Sequence, residues 1–219
     1  MRRVGVLGGT FDPIHYGHLV IAEDARVYLH LQKVLFLPAP QPPHKPERSY
    51  SAFHHRLRMT ELAIEENPHM AVSLIEAQRP GPSYTVETLR ELQALLGPST
   101  EVCFIIGMDS LANLPSWHEP AELLKLCRLV VAERAGYHVD MATLEAALPG
   151  LTERLVCIDT PELSISSTDL QRRVRRGLPI KYQVPPQVER YIFKHKLYQD
   201  KVQEARSGGQ QDREHLAEA

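Results

Sequence analysis

Six short apolar runs punctuate the chain: Val4–Leu7, Val34–Pro38, Met70–Ile75, Val102–Ile106, Leu129–Ala132 and Leu155–Ile158. Each has the length of a strand and is too short for a buried helix. Between them the apolar positions recur at helical spacing. His18–Leu29 places Leu19, Ala22, Ala25, Arg26 and Leu29 near one face. Phe53–Ile64 repeats Leu57, Met59, Leu62 and Ala63, and Thr85–Leu96 repeats Val86, Leu89, Leu92 and Leu96. Near-continuous apolar strands alternating with amphipathic helices predict a parallel α/β sheet covered by helices on both faces.

The breaks are equally legible. Pro38-Ala39-Pro40-Gln41-Pro42-Pro43-His44-Lys45-Pro46 fixes φ and lacks donors at five prolines, so it predicts a loop after the second strand. Residues from about 199 to 219 are polar, contain Ser207-Gly208-Gly209 and predict a flexible tail. The expected organisation is one domain over residues 1–198 followed by that tail.

Composition narrows the class. Of the 219 residues, 43% are hydrophobic, which suffices for a sizeable core. The formal net charge of −2 gives no basic surface for wrapping nucleic acid, so an anion site has to be local. Cys103, Cys127 and Cys157 are scattered and odd in number, which favours buried thiols in a reducing compartment. No run approaches the roughly 18 apolar residues of a membrane helix. The expectation is a soluble cytoplasmic protein with no membrane partner; a homo-oligomer is compatible with this sequence.

The chemistry concentrates just after the first strand, in Gly8-Gly9-Thr10-Phe11-Asp12-Pro13-Ile14-His15-Tyr16-Gly17-His18. Glycines let backbone approach a ligand closely, and a helix start offers unpaired N–H groups at its positive end. A strand, a glycine turn and a helix in succession predict a phosphate site. The spacing is neither the dinucleotide GxGxxG nor the P-loop GxxxxGK[ST], which disfavours hydride transfer and P-loop hydrolysis. His15 and His18, three apart at a helix start, can face the same phosphate chain as donors. Capping residues or two ligands of a zinc site, completed from His44, His54 and His55, are the competing readings. Asp12, next to Pro13, reads as turn-shaping rather than chemical.

A second phosphate element reads Ile165-Ser166-Ser167-Thr168-Asp169-Leu170-Gln171-Arg172-Arg173. Ser166 and Asp169 have capping-box spacing for a helix start, where hydroxyls and free N–H groups suit a triphosphate. A solvated basic helix face is the plainer reading of the arginines.

The first stretch resembles the GGTFDPxHxGH motif of the HxGH nucleotidyltransferases, and the second resembles their ISSTx[IL]R motif. The chain departs from the latter at Gln171, where the motif carries a basic residue; Arg172, next along, points about 100° away on a helix. Pro42-Pro43-His44-Lys45, Ser83-Tyr84-Thr85-Val86-Glu87-Thr88 and Gly107-Met108-Asp109 through Trp117 resemble the PPH[KR], SYTxxT and GxDxxxxLxxW elements of bacterial nicotinate-nucleotide adenylyltransferases. The similarity spans about Arg3 to Tyr198.

This resemblance implies a Rossmann-like, doubly wound α/β fold and transfer of AMP from ATP to nicotinate mononucleotide, with Mg²⁺ held mainly by the ATP phosphates and no metal ligands from the protein. It implies His15 and His18 as catalytic residues. Gly8, Gly9, Thr10, Gly107, Asp109, Ile165, Ser166, Ser167, Thr168 and Arg172 join them around ATP. Thr10, His44, Lys45, Tyr84, Thr85 and Trp117 are implied around the mononucleotide. Residue chemistry is consistent with these roles. Ser83 can cap a helix from about Thr85, whose first N–H groups would meet a carboxylate. Trp117, the only tryptophan, offers a face to a pyridinium ring, although core packing explains it equally well. An acceptor such as nicotinamide mononucleotide or phosphopantetheine, or a non-catalytic nucleotide-binding regulator, remains an alternative on the sequence.

Overall fold

The computed structural model describes residues 2–41, 50–132, 139–161 and 163–199. His44 and Lys45, the rest of the proline-rich segment beyond Gln41, Arg134 and the tail from residue 200 lie outside the described residues.

The chain runs β1 (Arg2–Gly9), α1 (Tyr16–Tyr28), β2 (Lys33–Pro38), α2 (Phe53–Ile64), β3 (Met70–Val72), α3 (Thr85–Leu96) and β4 (Thr100–Gly107). It continues through α4 (Met108–Ala112), α5 (Pro120–Leu126), β5 (Arg128–Ala132), α6 (Met141–Ala147), α7 (Leu151–Arg154), β6 (Leu155–Ile158), α8 (Ser167–Arg175) and α9 (Pro186–Lys194). The six strands form one sheet in the order β3-β2-β1-β4-β5-β6, every pairing parallel. This is the doubly wound order of a Rossmann-like fold, as the resemblance implied.

The period of two along each strand divides the core. Leu7, Cys103, Ile105, Val130 and Ala132 face one layer, with Ala22 and Ala25 of α1, Met59 of α2, Leu170 of α8 and Ile192 of α9. Val6, Val102, Phe104, Ile106, Leu129 and Val131 face the other, with Leu89 of α3, Leu123 of α5, Leu144 of α6 and Leu151 of α7. Both faces are dry, which is why the strands read as continuous apolar runs.

Two boundaries differ from expectation for local reasons. The third run, expected over Met70–Ile75, pairs only through Val72, and Ile75 opens a 3₁₀ turn over Ile75–Gln78. This strand lies at the sheet edge, so nothing beyond β2 extends it. The first helix begins at Tyr16 rather than near Gly17 or His18, because His15 takes the extended backbone of an N-cap (φ −149°, ψ 170°).

The chain's direction across the sheet reverses between β1 and β4, and ligands of open α/β sheets bind at the carboxyl ends of the strands there. The Gly8-Gly9 end of β1 and the Gly107 end of β4 therefore flank the crevice. The β1 end is fixed by Arg56 of α2, which is only 2% exposed. Its Nη1 donates to the carbonyls of Thr10 (2.8 Å) and Ala39 (2.7 Å), its Nη2 to Pro40 (3.1 Å) and its Nε to Ser51 (3.0 Å). A buried guanidinium is tolerated only when its donors are satisfied, and here they knit the loops after β1 and β2 onto α2.

Replacing Arg56 by Met keeps most of the volume and removes every one of those donors. The expected cost is about 3 kcal/mol or more in urea unfolding, because four carbonyls lose their partner together. A loss below about 1 kcal/mol would mean that water replaces the guanidinium.

Candidate active site

The start of α1 brings His15 and His18 together. Their rings stack with centroids 3.8 Å apart and planes 28° from parallel. His18 Nδ1 accepts the His15 backbone N–H at 3.3 Å, which leaves the neutral ring with its proton on Nε2. Phe11 packs edge-on against His18 at 5.1 Å and so holds the ring from the side. His15 is buried, and its Nδ1 has no hydrogen-bond partner among the described residues. Buried polar atoms are rarely left so, and such an orphan is common where a ligand completes the site.

Gly17 makes the pair possible. A Cβ at that position would stand 3.0 Å from His15 Nδ1 and 3.1 Å from Cε1, and 3.9 Å from the Ile165 carbonyl oxygen. A glycine here thus admits both the imidazole and the close approach of the second phosphate element. That element is fastened to the first. Ser167 Oγ donates to the Pro13 carbonyl at 2.9 Å, and Gln171 Nε2 donates to the Asp12 carbonyl at 2.6 Å. Ser166 caps α8 as expected, its hydroxyl accepting the Asp169 N–H at 3.2 Å.

Gln171 is therefore not simply a missing cation: its amide ties α8 to the loop after β1. Arg172 is exposed and ion-paired with Asp169 on its own helix. Thr168 and Ser166 are exposed, with Ile165 half-buried beside them. At the neighbouring strand end Gly107 and Asp109 are both exposed. Gly107 is the N-cap of α4 and Asp109 lies in its first turn.

On the far side of β4, Tyr84 precedes α3 and its ring lies 4.4 Å from that of His118. Trp117 is half-buried and meets Phe104 edge-on at 6.2 Å, so it packs against the core and still keeps exposed surface. Thr85 begins α3. The cap expected from Ser83 does not form: Tyr84 is the N-cap residue, and Ser83 is buried beside the Glu76 carboxyl. Burial raises that carboxyl above its usual range, and Thr88 donates to it at 3.0 Å. Of the histidines considered for zinc, His44 lies outside the described residues. His54 and His55 lie on α2, where His55 Nδ1 bonds the Tyr191 hydroxyl at 2.9 Å, and among the described residues no three metal-ligating side chains gather.

Comparison with known proteins agrees with this geometry. The cytidylyltransferase-like family matches residues 6–173. A protein of Thermomicrobium roseum named "Probable nicotinate-nucleotide adenylyltransferase" is 47% identical over 198 residues, covering 90% of this chain and 92% of that one. A Roseiflexus protein of the same name is 49% identical over 197 residues, covering 89% and 97%. The chain belongs to the nicotinate-nucleotide adenylyltransferase family. The Plasmodium falciparum nicotinic acid mononucleotide adenylyltransferase complexed with NaAD shares the fold, with a TM-score of 0.75 at 22% identity over 90% of this chain and 98% of that one.

Within this member of the family, Asp12 is more than a turn residue. Its carboxylate is buried and accepts the Ser51 N–H at 3.0 Å and the Tyr198 hydroxyl at 2.6 Å. Sequence reasoning passed over Arg56 and Tyr198. Arg56 carried a signal, since it shares the helical stripe of Met59 and Ala63; Tyr198 carried none beyond ending the similarity.

Electrostatics keep the histidine pair neutral. Burial lowers the His15 imidazolium from its ordinary 6.5 to about 4. Burial, then the neighbouring His15, holds His18 well below its ordinary value too. Below about pH 6.5 an unfolded chain takes up the His15 proton that the fold refuses until about pH 4. Stability from this group is thus complete above the unfolded value and declines as pH falls across that window. His15→Gln should lose less stability than the parent between pH 7 and 4.5, by about 1–3 kcal/mol in paired urea titrations; equal slopes would contradict it. Gly17→Ala should leave the melting temperature nearly unchanged, because alanine favours helix while the His15 ring is crowded. Its turnover should nevertheless fall about tenfold or more, since a ring displaced by a few tenths of an ångström misplaces a donor.

Proposed function

We propose that this chain transfers AMP from ATP to nicotinate mononucleotide, forming nicotinate adenine dinucleotide and releasing pyrophosphate. The observation that carries this reading is the stacked, neutral His15–His18 pair at the start of α1. It sits at the carboxyl end of β1 beside the sheet's switch point, with a buried ring nitrogen awaiting a partner.

The acceptor brings its own nucleophile. A phosphate monoester is largely dianionic near pH 7, so no protein base is required. Its 5′-phosphate oxygen attacks the α-phosphorus of ATP, the bond to the bridging oxygen breaks, and pyrophosphate leaves with that electron pair. The protein's share is orientation and stabilisation of developing charge. His18 donates through Nε2–H to the β- and γ-phosphates, and His15 meets the α-phosphate. The negative charge of a bound polyphosphate raises both imidazole pKa values and so favours the imidazolium form, which donates from both nitrogens. Gly8, Gly9 and Thr10 line the path of attack. Ser166, Ser167 and Thr168 at the start of α8, with Ile165, take the distal phosphates; Arg172 reaches them only by leaving Asp169. Gly107 and Asp109, at the carboxyl end of β4, are assigned to the ribose hydroxyls in this reading. His44 and Lys45 belong to the acceptor side in this reading.

Mg²⁺ is expected to arrive with ATP. Mg²⁺ dehydrates reluctantly and is commonly carried on substrate phosphates, so phosphate oxygens and water would hold most of its coordination. When bound, it neutralises the departing pyrophosphate. On the acceptor side, the first N–H groups of α3 behind Tyr84 and Thr85 suit the nicotinate carboxylate, and Trp117 presents a flat surface to the pyridinium ring. No helix among the described residues is long and apolar enough to cross a membrane. In this reading the enzyme works in the cytoplasm, where buried thiols such as Cys103 and Cys127 stay reduced.

The test is pyrophosphate release from ATP and Mg²⁺ with nicotinate mononucleotide, nicotinamide mononucleotide and phosphopantetheine in parallel. Release with the nicotinate substrate alone, yielding the deamido dinucleotide, is expected. Release with none of them from folded protein would favour a non-catalytic nucleotide binder. Trp117→Ala should raise KM for the mononucleotide about tenfold and leave KM for ATP within about twofold. Equal changes in both would reduce Trp117 to a packing residue.

A further inference from the structure

The last turn of the described residues reaches back to the first loop. Tyr198, three residues beyond the α9 C-cap, donates its hydroxyl to Asp12 Oδ1 at 2.6 Å across 186 positions of sequence. Asp12 Oδ2 accepts the Ser51 N–H, and the Asp12 carbonyl accepts Gln171, so one buried residue is held from three directions. Asp12 stands between Thr10 and His15, the two ends of the loop that faces phosphate. Tyr198 itself adopts φ 62°, in the left-handed region that side chains disfavour. A backbone kept there must be compensated by what the side chain reaches. The hydroxyl also approaches Met59 Sδ at 4.0 Å, while the ring packs against the core around α2 and α9. Burial and the adjacent Asp12 carboxylate push the phenol far above its ordinary pKa, so it remains a proton donor at any working pH.

We infer that Tyr198 is a positioning residue for adenylyl transfer, its hydroxyl fixing Asp12 and through it the placement of Thr10 and His15. This rests on the reaction proposed above. Interactions that hold donors where charge develops matter more to the transition state than to substrate binding. Losing the hydroxyl should therefore lower kcat and spare KM.

The experiment compares the full chain with Tyr198→Phe and Tyr198→Ala. Tyr198→Phe keeps the ring, and at temperatures well below its melting point its kcat should fall about tenfold with both KM values within twofold. Tyr198→Ala also loses packing and should melt earlier, with kcat per folded molecule no lower than that of Tyr198→Phe. A second readout does not depend on turnover: the imidazole NMR signals of His15 and His18 should move in Tyr198→Phe, and that of the exposed His69 should not. Wild-type kcat in Tyr198→Phe, or losses that follow only the unfolded fraction, would overturn the inference. So would unmoved His15 and His18 signals. A wild-type chain inert with nicotinate mononucleotide, but with those signals displaced in Tyr198→Phe, would sink the proposed reaction and leave the positioning of the loop standing.

Discussion

The architecture of the site depends on one buried cation. Arg56 donates to four main-chain carbonyls, from Thr10, Ala39, Pro40 and Ser51. Carbonyls are weak partners one at a time, yet together they offset much of the desolvation of a guanidinium. They also belong to three separate segments. The rigid sheet supplies the ends of β1 and β2, and Arg56 decides how the chain leaves those ends.

Asp12 complements this arrangement with the opposite charge on the neighbouring side. Its carboxylate meets Ser51 and Tyr198, and its carbonyl meets Gln171. Cation and anion share Ser51: Arg56 takes the carbonyl of that residue and Asp12 takes its N–H. The histidine pair follows Asp12 by three residues in the chain, walled by Phe11 and admitted by Gly17. The imidazoles stay neutral because burial disfavours their charged forms.

The sequence made the sheet and its helices legible because burial on both faces leaves long apolar runs, and because Val86, Leu89 and Leu92 keep helical period. The phosphate loops were legible for another reason: glycines, hydroxyls and imidazoles at fixed offsets are required locally, within a few residues. What stayed hidden acts across the chain. Asp12 looked like a turn former because its partners lie 39 and 186 positions away. Gln171 looked like a lost cation because its real contact, the Asp12 carbonyl, lies 159 positions back. Ser83 was misread in the opposite sense: a residue suited to capping is instead buried next to Glu76, where tertiary contacts outweigh the local preference. The short α5 and α6 gave too few turns for a periodic signal.

The hydrogen bond between Tyr198 and Asp12 also sets an order on synthesis. The N-terminal loop emerges from the ribosome early, but its last anchor is translated 186 residues later. Until then the glycine turn, the aspartate and the two histidines lie on a nascent chain that lacks its final brace. Stop codons anywhere short of that tyrosine leave the same defect, however complete the sheet. Chemistry encoded at the beginning of the message is finished only near its end.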